Sequence, residues 1–210
     1  MPEAGGAKGS AIRLRPVQVV TLALIFVGAM FATAEVSSVA IAEELGQPGA
    51  ASLVIGVYAM GSFVLGLVLG AMNPRMALQH QLLIAVGVLA VTAVPLLFAG
   101  TSVVLLAIAV FVSGIAVSPT FITAFGLIER RVPESMLTEG VTWVMTGIGI
   151  GMAFGAFAAG WVVDTFGAQN GFWVSVLAGT AATAVVTLGQ RSLAGGPGHQ
   201  DAGCVTQPAG

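Results

Sequence analysis

Six long apolar segments dominate the sequence and restrict the chain to membrane folds. A helix needs about 20 mostly apolar residues to cross a hydrocarbon core roughly 30 Å thick, because each residue adds about 1.5 Å. Charged residues make up 8% of the 210 positions and hydrophobic residues 57%, whereas about a quarter of a soluble domain is charged. The pattern predicts an all-α polytopic membrane protein and excludes an ordinary soluble enzyme. The segments are residues 17–42, 51–72, 82–98, 102–128, 141–164 and 171–188.

The basic residues predict how these segments are oriented. With six crossings both chain ends lie on one side of the membrane, and all seven Lys and Arg residues fall in the ends and loops of that side. Basic residues concentrate in cytoplasmic loops, so we predict a multi-pass plasma-membrane protein with both termini in the cytoplasm. The basic residues are Lys8, Arg13, Arg15, Arg75, Arg130, Arg131 and Arg191, and the opposite side carries Glu43, Glu44 and Asp164.

A single six-helix transmembrane domain is expected over residues 15–190, between two polar segments. Residues 1–14 and 191–210 are rich in glycine, alanine, proline and polar types. Such segments have too few apolar side chains to build a core. We therefore predict a disordered cytoplasmic leader and a disordered cytoplasmic tail.

Glycines mark the second and fifth apolar segments. Small residues on one helix face let a neighbouring backbone approach closely. The pattern is compatible with packing inside the bundle and with an interface against a second half of the molecule. Each triplet of segments has its glycine-rich member second, which indicates a 3+3 inverted repeat of the kind found in secondary transporters. The glycines are Gly61, Gly66 and Gly70 in the second segment and Gly147, Gly151 and Gly155 in the fifth.

Glu35 is the candidate for a functional charge in the first segment. It lies roughly 8 Å from the centre of that segment, which is within hydrocarbon depth. A carboxylate at that depth costs several kcal/mol unless it is paired or takes up a proton. One interpretation is a proton-carrying site in a transport pathway. The other is a structural carboxyl group that is hydrogen-bonded to another helix or reaches the outer interface.

The fourth segment carries a second polar face that a proline interrupts. Ser113, Thr120 and Thr123 fall at helical spacing, and Pro119 leaves the carbonyl of Ile115 without its usual donor. Kinks beside polar side chains mark many binding sites and gates. We predict that the three hydroxyls line the substrate pathway and that Pro119 forms a gate. The competing interpretation is an ordinary kink, since prolines are frequent in spanning helices.

Charges collect in the loop between the fourth and fifth segments. Arg130 and Arg131 suit contacts with anionic lipid head groups, and Glu139 suits the positive end of the helix that follows. Arg75 lies on the same side, between the second and third segments. The loop is interpreted either as a stabilising hairpin or as a latch for one conformational state.

Several kinds of chemistry have no basis in the sequence. There is no GxxxxGK[ST] loop for a nucleotide and no Cys/His cluster for a metal, and a net charge of -2 argues against nucleic acid. His80 and His199 lie outside the apolar segments, so a membrane-embedded serine hydrolase lacks a base. We predict no enzyme activity, no cofactor and no metal. The expected partners are the lipid bilayer and a small-molecule substrate.

Residues 118–133, 138–143 and 151–171 carry a recognisable family pattern. Gly160, Asp164 and Gly167 form the loop signature Gly-x-x-x-Asp-x-x-Gly, without the basic residues that usually follow it. In the corresponding loop after the second segment, Pro74 stands where aspartate is expected, and Arg75 is retained. With these motifs the chain resembles actinobacterial transporters of the major facilitator superfamily. The resemblance covers nearly all of residues 15–190 and is to the C-terminal six-helix half.

This resemblance implies a mechanism as well as a fold. In that superfamily the first and fourth helices of each half line a cavity, and the second and fifth face the other half. The resemblance implies secondary active transport by alternating access, with proton-coupled efflux of small molecules. Because one half supplies one wall, the expected partner is a separate first half or a second copy of the chain. The alternatives are an inactive truncated half and a non-transporting membrane scaffold or assembly subunit.

Overall fold

A computed structural model describes residues 10–71 and 76–194 of the chain. These residues contain six helical stretches that are long and apolar enough to cross a membrane, which confirms the predicted class and number of spans. Short 3-10 turns join several of the helices. The helices are α1 (Arg15–Glu44), α2 (Ala50–Ala71), α3 (Leu78–Thr92), α4 (Val103–Ile115), α5 (Val117–Arg131), α6 (Leu137–Phe166) and α7 (Phe172–Ala194).

The fourth span consists of two helices, α4 and α5, which meet at Ala116. Pro119 has no N–H to donate to the carbonyl of Ile115, so the regular α-helical ladder is interrupted one turn before the proline. The Ala116 N–H bonds to the carbonyl of Gly114 instead, which tightens the chain at this point. The break expected from the proline is therefore present in the structure.

The bundle has two chemically distinct ends, which we name the basic end and the acidic end. The start of α1, the end of α5, the start of α6 and the end of α7 lie together at the basic end. There, Gln190 Nε2 donates to the carbonyl of Gln79 at 3.0 Å and Arg131 donates to the Gln79 side chain at 3.3 Å, which connects α3, α5 and α7. Of the described basic residues, Arg13, Arg15, Arg130, Arg131 and Arg191 belong to the basic end, and Glu43, Glu44 and Asp164 belong to the acidic end. Lys8 and Arg75 lie outside the described residues.

Helix packing follows an inverted symmetry. The first span packs on the fifth and sixth, because α1 contacts α6 and α7. The fourth span packs on the second and third, because α4 contacts α2 and α5 contacts α3. The third and sixth spans, α3 and α7, close the bundle between these two groups. This reciprocal pairing is what a 3+3 inverted repeat produces.

Glycines allow close approach in the pairing of α1 with α6 and in that of α2 with α4. On α6, a Cβ added at Gly151 would overlap the backbone carbonyl of Ile25 in α1. On α2, a Cβ added at Gly61 would overlap the backbone carbonyl of Phe111 in α4. Because backbone atoms cannot rotate away as a side chain does, only glycine allows these helix axes to come so near.

Loops at the acidic end are tied to the helices. Gly46, with φ of 70°, ends α1 in a Schellman motif, in which its N–H and the next one bond back to the carbonyls of Glu43 and Ala42. Glu44 Oε1 then accepts the N–H of Ala168 at 3.0 Å, and Gln169 Nε2 donates to the carbonyl of Leu96 at 2.8 Å. The connection between α6 and α7 is thus fixed to the end of α1 and to the segment after α3.

The predicted disorder of the leader does not extend to its last residues. Residues Ala11–Arg13 form a 3-10 turn, and the Ala11 side chain is fully buried. At the other end of the chain, α7 continues to Ala194, past the predicted boundary at residue 190. Residues 1–9 and 195–210, the remainder of the predicted leader and tail, lie outside the described residues.

Candidate functional site

A cavity of about 100 Å³ opens beside Glu35, between α1, α2 and α4. We call it the Glu35 pocket. Helical spacing places Phe31, Glu35 and Ser38 on one side of α1, so that they share the pocket. Tyr58 of α2 lines the opposite side, and the remaining lining is aliphatic. The pocket therefore combines one carboxylate, two hydroxyls and two aromatic rings.

The Glu35 carboxylate is exposed on the outside of the bundle. No described residue donates a hydrogen bond to it or forms an ion pair with it. The residue lies nine positions before the end of α1 at Glu44, which is about 13 Å along the helix axis and places it within hydrocarbon depth. Within residues 10–71 and 76–194, Glu35 thus has no partner of the kind that a structural carboxyl would have.

Ser38 adds a second unsatisfied polar group to the same pocket. Its side chain is 2% exposed, and its Oγ has no hydrogen-bond partner among the described residues. A buried hydroxyl without a partner costs free energy. A water molecule or a ligand group in the Glu35 pocket would supply that missing partner.

A second, much smaller cavity lies next to the Glu35 pocket. We call it the Ser113 cavity, since Ser113 of α4 and Ser175 of α7 both line it and both are buried. Its volume of about 10 Å³ is close to the minimum for one water molecule. Phe31 and Tyr58 line both cavities, and their ring centroids are 5.6 Å apart. This aromatic pair separates the carboxylate from the inner hydroxyls.

The predicted pathway threonines are not part of either cavity. Thr120 is fully buried, and its hydroxyl donates to the carbonyl of Ala116 at 2.8 Å. Thr123 is 5% exposed and donates to the carbonyl of Pro119 at 2.7 Å. Both hydroxyls therefore bond back to carbonyls one helical turn earlier, as serine and threonine side chains commonly do in helices.

Pro119 and Thr123 line a different cavity, an apolar groove of about 250 Å³ between α2, α3 and α5. Its other walls include Leu65, Ile84 and Val88. The structure thus brings Ser113 next to Glu35 across the aromatic pair but places Thr120, Thr123 and Pro119 elsewhere.

The glycines predicted at an interface with a second half lie at contacts between helices of this chain. Four of the five with described surroundings are buried, so their surfaces are not available to another half. Packing inside the bundle, the alternative that the sequence left open, accounts for all five. The surroundings of Gly70 lie outside the described residues. The contacts are Gly61 with α4, Gly66 with Ser118 of α5, and Gly147, Gly151 and Gly155 with α1.

At the basic end, Glu139 ties the start of the described chain to α6. It accepts hydrogen bonds from the Ser10 hydroxyl, from the Ala11 backbone N–H and, at 3.3 Å, from the Trp143 ring N–H. Arg130 is exposed, and Arg131 reaches Gln79 of α3. The contact of Glu139 with residues 10 and 11 was not foreseen from the sequence.

Two residues of the site were missed by sequence reasoning. Tyr58 is the only tyrosine of the chain and stands in an apolar helix, which is a signal that could have identified it. Phe31 has no such signal, because it is one of 11 phenylalanines. Only the packing of α1 against α2 shows that these two rings meet.

Comparison with known proteins adds one positive finding. The sequence profile of the Major Facilitator Superfamily matches residues 19–201. No curated protein and no solved structure matches the chain. The match covers all six spans except the first residues of α1.

Proposed function

The chain belongs to the Major Facilitator Superfamily, and from this premise we propose that it forms one six-helix wall of a secondary active transporter. In this proposal Glu35 is the proton-carrying group, and the Glu35 pocket and the Ser113 cavity belong to the substrate pathway. The transporter works by alternating access and exports small molecules in exchange for protons.

The observation that carries the proposal is the position of Glu35. An exposed carboxylate without a partner, at hydrocarbon depth, is strongly unfavourable against lipid. Such residues in spanning helices face a water-filled cavity or another part of the protein. We infer that the surface around Glu35 borders a cavity whose opposite wall is not part of the described chain.

A second six-helix unit would supply that wall. The unit is either a separate first half or a second copy of this chain. The outward faces of the second and fifth spans are apolar, with Leu53, Phe63 and Leu67 exposed on α2 and Phe154 and Phe157 exposed on α6. In the superfamily these two spans face the other half, so we propose that these side chains, rather than the buried glycines, meet the second unit.

The proposed location is the plasma membrane, with both termini in the cytoplasm. The asymmetry between the basic and acidic ends supports this orientation, because basic residues are retained on the cytoplasmic side. A cysteine introduced by Glu43→Cys should react with a membrane-impermeant maleimide in intact cells. One introduced by Arg191→Cys should react only after permeabilisation, and the opposite pattern would reverse the orientation. Both variants carry Cys204→Ser, so that the introduced thiol is the one that is labelled.

Water access to Glu35 is the sharpest test of the pathway. In a background in which Cys204, the only cysteine, is replaced by serine, Glu35→Cys should react with a membrane-impermeant maleimide. The reason is that a thiol ionises and reacts in water but not in lipid. Leu177→Cys, at a position 65% exposed on α7 and nine residues from the acidic end of its span, provides the depth-matched lipid-facing control and should be inert.

The two outcomes separate a pathway from a structural carboxyl. Reaction of the cysteine at position 35 at a rate far above that of the cysteine at 177 supports a water-filled cavity. Equal inertness of the two positions would contradict the proposal, and the non-transporting scaffold would then be the better description.

A further inference from the structure

The Glu35 pocket presents a negative charge beside two aromatic rings. Phe31 lies one helical turn before Glu35 on α1, and the Tyr58 ring is tilted 52° from the Phe31 ring. Two rings that are not parallel form a corner, and the carboxylate lies on the same helix face beside that corner. Aromatic faces attract cations, and this attraction is strongest where the site excludes water.

We propose that the Glu35 pocket binds the head group of a small organic ammonium ion. The inference rests on the proposed function, because a polar ligand reaches the pocket only through water. The Glu35 carboxylate neutralises the positive charge, the rings of Phe31 and Tyr58 contact its alkyl groups, and the Ser38 hydroxyl gains a partner.

The lining distinguishes an organic cation from a metal ion. Hard cations such as Ca²⁺ and Mg²⁺ require six or more oxygen ligands, from protein or water. The pocket offers the oxygens of Glu35, Ser38 and Tyr58 and is otherwise apolar. The described residues contain no group of three or more His, Cys, Asp or Glu side chains suited to a metal. An ammonium ion whose charge is spread over alkyl groups matches this surface better.

No competing positive charge occupies the pocket. None of the residues that line it is Lys, Arg or His. The basic side chains of the described helices belong to the opposite end of the bundle. Among the described residues, no basic side chain is therefore placed to pair with the Glu35 carboxylate in competition with a ligand cation.

The size of the pocket limits what it can hold. Sites that enclose drug-sized ligands have volumes of about 300–1,000 Å³, whereas this pocket has about 100 Å³. It fits a head group and leaves the rest of a larger ligand outside, towards the side that faces the proposed second unit.

Choline and its neutral carbon analogue 3,3-dimethyl-1-butanol test the inference directly. The two molecules have nearly the same shape and differ in charge. Equilibrium binding of each is measured with the full chain in nanodiscs. We expect choline to bind and the neutral analogue to bind at least tenfold more weakly. Equal binding of both, or binding of neither, would overturn the proposal without any mutation.

Substitutions in the pocket test whether the preference for choline arises there. Glu35→Gln should abolish the preference for choline, whereas Glu43→Gln, at an exposed carboxylate of the acidic end, should leave it unchanged. Tyr58→Leu should weaken choline binding about 2- to 30-fold, the range that corresponds to cation–π energies. Tyr58→Phe keeps the ring and should bind choline nearly as the parent chain does. A preference for choline that survives Glu35→Gln would place the site elsewhere.

The accessibility experiment separates failure of this inference from failure of the proposed function. If the cysteine at position 35 reacts in water and choline shows no preference over its neutral analogue, the pathway stands and the cation site is refuted. If that cysteine is inert, the pathway is refuted and the cation site with it.

Discussion

Two glycines of α6 differ in the space available for the methyl group of an alanine. Gly151 faces the backbone of Ile25 so closely that a Cβ would overlap the carbonyl oxygen. Gly149, two positions earlier, has no atom within 4 Å of where its Cβ would be, apart from those of its chain neighbours and of the backbone of α6 itself. The same residue type thus serves close packing at one position and faces open surroundings at the other.

This difference predicts opposite effects of the same substitution. Gly151→Ala should lower the free energy of unfolding by about 1–3 kcal/mol, as overpacking does in well-packed interiors. Gly149→Ala should leave stability unchanged or raise it slightly, because alanine favours helix over glycine. Unfolding in mixed detergent micelles measures both. Equal effects of the two variants would contradict the close contact between α1 and α6.

At the scale of elements, hydroxyl groups form hydrogen bonds on the α5 side of the break between α4 and α5. The Oγ atoms of Ser118, at the start of α5, and of Ser62 in α2 are 2.8 Å apart and form a hydrogen bond. Thr120 and Thr123 bond to backbone carbonyls around the proline. The Ala116 carbonyl also accepts the Thr120 backbone N–H at 3.3 Å, so the Thr120 hydroxyl adds a second donor there, and the serine pair is the contact that joins α5 to α2.

A double-mutant cycle measures the link between α2 and α5. Ser62→Ala and Ser118→Ala should show a coupling free energy of about 0.6 kcal/mol, with about 1.7 kcal/mol as an upper bound, as found for hydrogen bonds between spanning helices. Ser52, whose hydroxyl bonds to the carbonyl of Gly49, provides the control. The effects of Ser52→Ala and Ser118→Ala should be additive, and coupling of similar size in both cycles would argue against a specific hydrogen bond.

The elements also show which parts of the site a sequence can predict. The break before Pro119 follows from spacing along one helix, and the structure contains it. The depth of Glu35 in the membrane is inferred from its position along α1. Whether Glu35 shares a pathway with Thr120 and Thr123 cannot be predicted from that spacing. The answer depends on how α1 and α5 are rotated about their axes. Small differences in packing decide that rotation, and no local pattern records them.

At the scale of the molecule, the six spans leave one side of the Glu35 pocket open. We expect native mass spectrometry of the full chain in nanodiscs to show a dimer, or a complex with a partner of similar size when the chain is isolated from its own membrane. The physical reason is that Glu35, which has no partner among the described residues, would favour a covering wall at the membrane depth inferred for it. A strict monomer in both preparations would argue for an inactive half.

The sequence by itself determined the class of the protein, the number of spans and the separation of basic from acidic residues. These properties depend on length, hydrophobicity and charge, which add up along the chain and need no knowledge of neighbours. Only the tertiary structure decided that the glycines pack inside the chain, that Phe31 meets Tyr58, and that the Ser38 hydroxyl, beside Glu35, finds no partner in the described part of the chain. Each of these features depends on the distance and rotation between helices. Close backbone contacts, such as that of Gly151 with Ile25, set that distance and rotation.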